Sequence, residues 1–182
     1  MTKRKPRLFQ EAELLNYAVR ALGGRAHSTG ELREKLRRRA ERAEDVDAVL
    51  AKLKGLGYLD DRRFAESYAA SRLENQGLGK MRVMRDLRQR RIAPKLAEQV
   101  TEKTYQETNE ADLIDEFLKR KYRGKKLGEF LREEKNLAAA YRRLRYAGFA
   151  AGASIRVLKR YAKQAEELEA LDSADPGEPD HS

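Results

Sequence analysis

Glu31-Leu32-Arg33-Glu34-Lys35-Leu36-Arg37-Arg38-Arg39 returns further along the chain as Arg82-Val83-Met84-Arg85-Asp86-Leu87-Arg88-Gln89-Arg90. Laid on one another, Leu32 falls on Val83 and Leu36 on Leu87. Apolar positions four apart share one helical face, and the charged residues between them lie on the others. A third, weaker copy, Tyr141-Arg142-Arg143-Leu144-Arg145, centres on Leu144. Recurrence at a period of about 50 residues is the signature of stacked helical units, each too small to bury its apolar face alone. The alternative is one irregular bundle whose charge bias creates chance similarity. The spacing predicts the repeat.

Outward from these segments the rhythm stays helical. Leu14, Leu15, Ala18, Val19 and Leu22 keep the i, i+3/i+4 spacing until Gly23-Gly24 stops it. Ser28, three residues before Glu31, makes a capping-box pattern for the second helix. Glu31–Lys35 and Glu34–Arg38 are i, i+4 pairs that support it. Val46, Val49, Leu50 and Leu53 form a third stripe, closed by Gly57. Asp60 or Asp61 can cap a helix bearing Phe64, Ala65, Tyr68 and Ala69, broken by Gly77 and Gly79. Met81, Val83, Met84 and Leu87 mark the next, and Pro94 suits the first turn of one with Leu96 and Val100. Asn109 can cap a helix carrying Leu113, Ile114, Phe117, Leu118 and Tyr122. The Gly/Lys stretch 123–128 follows, then stripes around Tyr141–Leu144 and Ile155–Tyr161. The predicted fold is all-α, three tandem three-helix repeats: a basic arm 1–9, repeats 10–57, 58–107 and 108–165, and an acidic, disordered tail 166–182.

The 182 residues carry 40 Lys+Arg and 30 Asp+Glu, a net charge of +10. Residues 166–182 hold Glu166, Glu167, Glu169, Asp172, Asp175, Glu178 and Asp180 and no Lys or Arg, which leaves +17 on residues 1–165. A body this basic has the footprint of a polyanion binder, against the plainer reading of a solvated, solubilising surface. A tethered acidic tail is expected to compete with DNA for that body. There is no Cys, which rules out a disulfide, a thiolate zinc site or a cysteine nucleophile. No apolar run approaches the roughly 20 residues a membrane span needs. The N-terminus MTKRKPRLF is basic without the apolar stretch of a signal peptide, so the expected compartment is the cytoplasm.

Gly57-Tyr58-Leu59-Asp60-Asp61-Arg62-Arg63-Phe64-Ala65-Glu66-Ser67-Tyr68, with Ser71-Arg72, resembles the signature at the first–second repeat junction of RecX proteins. Gly77-Leu78-Gly79-Lys80-Met81-Arg82-Val83 and Leu87-Arg88-Gln89-Arg90-Arg91-Ile92 resemble the second-repeat helix of that family, and Ala26-His27-Ser28 with Glu31-Leu32 and Lys35-Leu36 its first repeat. The likeness is dense over 14–100 and looser over 110–163, where Arg142-Arg143-Leu144 and Gly148-Phe149 are the anchors. Val83 stands where the family often has Ile, and Arg91 where a Gly often precedes the Ile. The resemblance implies an elongated, curved array of three-helix units, monomeric, lying in the groove of the RecA recombinase filament on single- or double-stranded DNA. It implies a non-enzymatic protein that inhibits strand exchange, ATP hydrolysis and repressor-cleavage stimulation, and so acts in DNA repair, homologous recombination and the SOS response.

Catalytic chemistry has little to stand on. His27 and His181 are the only histidines; His27 sits beside a helix cap and reads as a turn or surface residue. Gly77-x-Gly79 lacks the Lys-Ser/Thr of a phosphate loop and reads as a helix stop. Asp60-Asp61 lacks further spaced ligands and reads as capping rather than metal binding. No cofactor is expected.

The candidate contact residues are therefore cationic: Arg33, Arg37 and Arg39 in the first repeat, with Arg38 and Arg42 nearby; Lys80, Arg82, Arg85, Arg88, Arg90 and Arg91 in the second; Arg142, Arg143 and Arg145 in the third. Guanidinium groups pair bidentately with phosphate and carboxylate. For Arg38, neutralising Glu34 weighs as much as function. The Lys80–Arg91 stretch contains only Asp86 and is the favoured surface. Phe64 and Tyr68 share a face and are expected in the core rather than stacking on bases; Tyr17 and Tyr122 stay open. A stand-alone helix-turn-helix-like DNA-binding regulator and a helical scaffold for an acidic protein partner are the competing readings, the former weakened by the lack of a recognition helix rich in Asn, Gln and Ser beside Arg.

Overall fold

Four side-chain caps and one proline set helix starts along the chain. In the computed structural model, which describes residues 8–162, Ser28 Oγ accepts the Glu31 amide at 3.0 Å while the Glu31 carboxylate accepts the Ser28 amide at 3.2 Å. This reciprocal capping box opens α2 (Thr29–Arg37), which follows α1 (Glu11–Gly24) and precedes α3 (Ala43–Gly55). Asp60 accepts the Arg63 amide at 2.9 Å and starts α4 (Asp61–Gln76). Its neighbour Asp61 accepts the Thr29 amide at 2.7 Å, so it caps α2 instead of its own helix. The helices α5 (Lys80–Gln89) and α6 (Pro94–Tyr105) follow, with Pro94 at the first helical position, where a missing N–H costs no hydrogen bond. Asn109 accepts the Ala111 and Asp112 amides to start α7 (Glu110–Lys121). Then come α8 (Leu127–Phe130), α9 (Glu134–Tyr146) and α10 (Ala151–Lys159).

The described residues thus form ten helices where nine are expected. The addition is α8, a single turn inside the Gly/Lys stretch. Leu127, Phe130 and Leu131 recur at helical spacing, Leu131 is fully buried, and the Phe130 ring lies 4.9 Å from that of Tyr122. Three apolar contacts hold a turn that propensity alone leaves undefined. The basic arm before Leu8 and the acidic tail lie outside the described residues.

Packing groups the chain into two compact units. The first takes the described residues up to Tyr68 together with Asp86–Val100; the second takes Ala69–Arg85 and the described residues from Thr101. In the first, Leu14 and Ala18 of α1, Leu32 and Leu36 of α2, and Val46, Val49, Leu50 and Leu53 of α3 form one buried cluster. Each such leucine favours folding by about 1.5–3 kcal/mol. In the second, Ile114 and Leu118 of α7, Leu137, Tyr141 and Leu144 of α9, and Phe149, Ile155, Val157 and Leu158 form another. Tyr122 belongs to this core. The expectation for Phe64 and Tyr68 needs correction: on α4 the fully buried positions are Ala65 and Ala69. Phe64 and Tyr68 are half-buried, stack on each other at 6.2 Å and lie beneath the Arg90 guanidinium, 4.8 Å above the Tyr68 ring.

One docking device recurs at the end of the second helix of each sequence repeat. The Arg39 carbonyl accepts the Phe9 amide at 2.7 Å. At the matching place in the next repeat the Arg90 carbonyl accepts the Ser28 hydroxyl. In the third, the Ala147 carbonyl accepts the Gly79 amide at 2.8 Å and the Gly148 carbonyl accepts the Met81 amide at 3.2 Å. Arg39, Arg90 and Ala147 stand at equivalent positions when Leu36, Leu87 and Leu144 are superposed. The turn that ends one helix thus satisfies its carbonyls with donors from an earlier segment, so helix ends serve as sockets.

Two of these turns are Schellman caps. Ile92 donates to Leu87 and Arg91 to Arg88; Phe149 donates to Leu144 and Gly148 to Arg145. The motif requires a left-handed residue, which is Gly148 at φ 91° but Arg91 at φ 61°. This is the position where the RecX resemblance leads one to expect glycine. Arg91→Gly is therefore expected to raise stability by about 1 kcal/mol, read as an increased urea midpoint at unchanged m-value.

Candidate anion-binding surfaces

On the first unit, α2 turns Leu32 and Leu36 inward and leaves Glu31, Glu34, Lys35 and Arg38 on its other faces. These side chains wall an open cleft of about 420 Å³, completed by Tyr17, Arg25, His27, Arg39 and Arg91. Glu31 faces Arg25 at 3.4 Å and Arg90 at 3.1 Å, and Glu34 faces Arg37 at 3.8 Å and Arg91 at 3.7 Å. The anticipated i, i+4 partners are thus displaced: Lys35 and Arg38 have no acidic partner among the described residues. The cause is tertiary, because packing brings Arg90 and Arg91 to α2 from a distant segment. Arg39 lies 5.6 Å over the Tyr17 ring, which is flanked also by Phe9 at 5.8 Å. Tyr17 is thereby a platform for Arg39.

His27 also departs from the sequence expectation. It is buried, 5% exposed. Nδ1 lies 3.8 Å from the Glu31 carboxylate, and neither ring nitrogen is in a hydrogen bond of ordinary geometry. Desolvation, reinforced by Arg25 and Lys35, holds its pKa below the ordinary 6.5, with Glu31 and the Ala21 backbone opposing. The unfolded chain therefore takes the proton first as pH falls. The stability contribution is complete above about pH 6.5 and declines as the pH drops below it. Thermal unfolding followed by circular dichroism is expected to show a lower midpoint at about pH 5.5 than at about pH 7.5, with a smaller drop for His27→Gln.

The remaining candidates of the first unit divide in two. Arg33 is ion-paired with Asp47 and Arg90 with Glu31, so both are committed within the fold. Arg88 is exposed, with no partner among the described residues. Arg42, beside them in sequence, pairs with Asp45 at 3.0 Å.

On the second unit, Lys80 is ion-paired with Glu102. Arg82 lies 4.5 Å over the Tyr146 ring. Arg143 donates to the Tyr122 hydroxyl at 3.2 Å and stacks over that ring, and Arg145 donates to the Phe149 carbonyl at 2.6 Å. Arg85 and Arg142 are exposed, with no partner among the described residues. The favoured Lys80–Arg91 stretch is thus less free than its local sequence suggests: acids from other helices reach Lys80, Arg90 and Arg91. By sequence spacing Lys35 pairs with Glu31, and Arg38 is as readily neutralised by Glu34 as free. Only the competition for Glu31 and Glu34 exposes them. Among the described residues no helix is long and apolar enough to cross a membrane.

Among the described residues the fold is all-helical and built from three-helix domains, with cations projecting from each unit. Residues 15–53 match the first three-helix domain of RecX and residues 60–100 the second. The regulatory protein RecX of Deinococcus radiodurans is 40% identical over 118 residues, 64% of this chain and 55% of that one. The chain therefore spans little more than half of that relative. The regulatory protein RecX of Trichlorobacter lovleyi is 31% identical over 107 residues, 59% of this chain and 70% of that one. Among solved structures, RecX from Lactobacillus salivarius superposes with a TM-score of 0.62 at 17% identity, covering 83% of this chain and 96% of that one. The chain belongs to the RecX family.

Proposed function

We propose that this chain binds RecA recombinase filaments on DNA in the cytoplasm and inhibits the recombinase by lying in the filament groove, with no catalytic step of its own. The observation that carries this reading is that a RecX-family body exposes cations with no partner among the described residues, among them Lys35, Arg38 and Arg88 on the first unit and Arg85 and Arg142 on the second. A filament groove on DNA presents phosphates and carboxylates, and unpaired guanidinium groups gain most from such partners. The contact to DNA is sequence-indifferent, because the free residues are cations, which pair with phosphates, and Gln89 beside Arg88 is the one amide side chain next to any of them in sequence. The binding species is a monomer. Co-sedimentation with cognate recombinase assembled on single-stranded DNA tests the partner. The chain is expected in the pellet in proportion to recombinase; its retention in the supernatant at all ratios would overturn the reading.

A further inference from the structure

We propose that the cleft beside α2 is a phosphate-binding site that takes a phosphodiester group of a nucleic-acid strand; its ligand, though not its site, rests on the DNA reading above. Three observations converge on it. The cleft gathers Arg25, Lys35, Arg38, Arg39 and Arg91 against two carboxylates, Glu31 shared by Arg25 and Arg90 and Glu34 shared by Arg37 and Arg91. Lys35 and Arg38 remain without an acidic partner among the described residues. His27 lines the same cleft, buried, with neither ring nitrogen in a hydrogen bond of ordinary geometry and Nδ1 held 3.8 Å from the Glu31 carboxylate. A desolvated imidazole with such poorly formed hydrogen bonds is costly, and an anion oxygen reaching its N–H lowers that cost. Arg91, finally, adopts a left-handed conformation that the equivalent Gly148 takes without strain. The Schellman turn accounts for that backbone conformation, and it sets the Arg91 guanidinium at the cleft beside Glu34.

The shape of the cation set favours phosphate over carboxylate. The charges come from the α1–α2 loop, from α2, from the turn after it and from Arg91, so they surround an open space from several sides. A tetrahedral group presents oxygens in several directions, whereas a carboxylate presents two in one plane. Tyr17 does not offer a free face for a base, because Phe9 and Arg39 already flank it. The site would therefore read charge and not sequence.

His27 and His181 are the only histidines, so the imidazole resonances of the full chain are readily separated, with His181 as internal reference. Inorganic phosphate, a short oligothymidylate and polyglutamate are titrated at constant ionic strength while imidazole shifts and DNA anisotropy are recorded. The His27 signals are expected to move saturably with phosphate, and with the oligothymidylate at lower concentration. Lys35→Gln with Arg38→Gln should weaken both responses at least tenfold, and Arg91→Gly, which keeps the Schellman turn, should weaken them as well. DNA binding with His27 unmoved, or responses unaltered in the variants, would overturn the site and leave the DNA reading standing. His27 responding to phosphate in a chain that does not bind DNA would overturn the strand as ligand and keep the site for free phosphate. A response to polyglutamate at lower concentration than to the strand would overturn the proposal in favour of an acidic polypeptide.

Discussion

Gly148→Ala is expected to destabilise the second unit by about 3 kcal/mol or more, the largest effect of any single methyl group in the chain. Two costs add. The residue sits at φ 91°, where an L side chain meets its own backbone. The new Cβ would also fall against the α5 backbone, with the Arg82 Cα at 2.8 Å and its amide nitrogen closer still. Backbone at the start of a helix cannot step aside as the tip of a flexible side chain can. The damage spreads because the same turn accepts the Gly79 and Met81 amides. Gly23→Ala is the matched control: within α1, a Cβ there meets nothing within 4 Å, and alanine is the better helix former. Urea unfolding should separate the two, with Gly23→Ala equal to or slightly above wild type. A Gly148→Ala midpoint unchanged from wild type would remove the socket account of the turn.

Reversing Arg85, Arg88 and Arg142 together to Glu is expected to lower DNA affinity by about 100- to 1,000-fold at about 0.1 M salt. Each phosphate contact contributes a slope of about −0.9 to the dependence of log K on log salt, so the slope should shrink by about three. All three side chains are exposed and lack partners among the described residues, so the helical circular-dichroism signal should stay intact. Reversing Arg143 is a different experiment. Its guanidinium holds the Tyr122 hydroxyl and ring, so stability should fall there first. Anisotropy of labelled single-stranded DNA across a salt series reads affinity and slope together. An unaltered slope in the triple variant would place the DNA contact elsewhere.

These two predictions draw on different parts of what the sequence reveals. Local chemistry is legible. Ser28 with Glu31, Asp60, Pro94 and Asn109 mark helix starts because a cap acts within three residues of itself. The Leu32/Leu36 and Val83/Leu87 stripes are legible because burial follows the 3.6-residue period. Charge pairing is not. Arg90 meets Glu31 across 59 positions, and Arg91 then takes up Glu34, which leaves Arg38 free against the i, i+4 expectation. Such exchanges depend on which turns pack together. The burial of His27 is illegible for the same reason: Ser28 and Thr29 follow it in sequence, but its neighbours in space bury it. The α8 turn, in a stretch of Gly and Lys, forms because its three apolar residues find the core of the second unit.

The same long-range exchanges decide which cations remain for a partner, and inhibition of a recombinase is the function proposed for them. DNA-stimulated ATP hydrolysis by the cognate recombinase, measured across increasing amounts of this protein, tests that assignment most directly. Hydrolysis is expected to fall with rising wild-type protein and to persist with the Arg85/Arg88/Arg142 reversal variant. Hydrolysis unchanged at saturating wild-type protein would contradict the account.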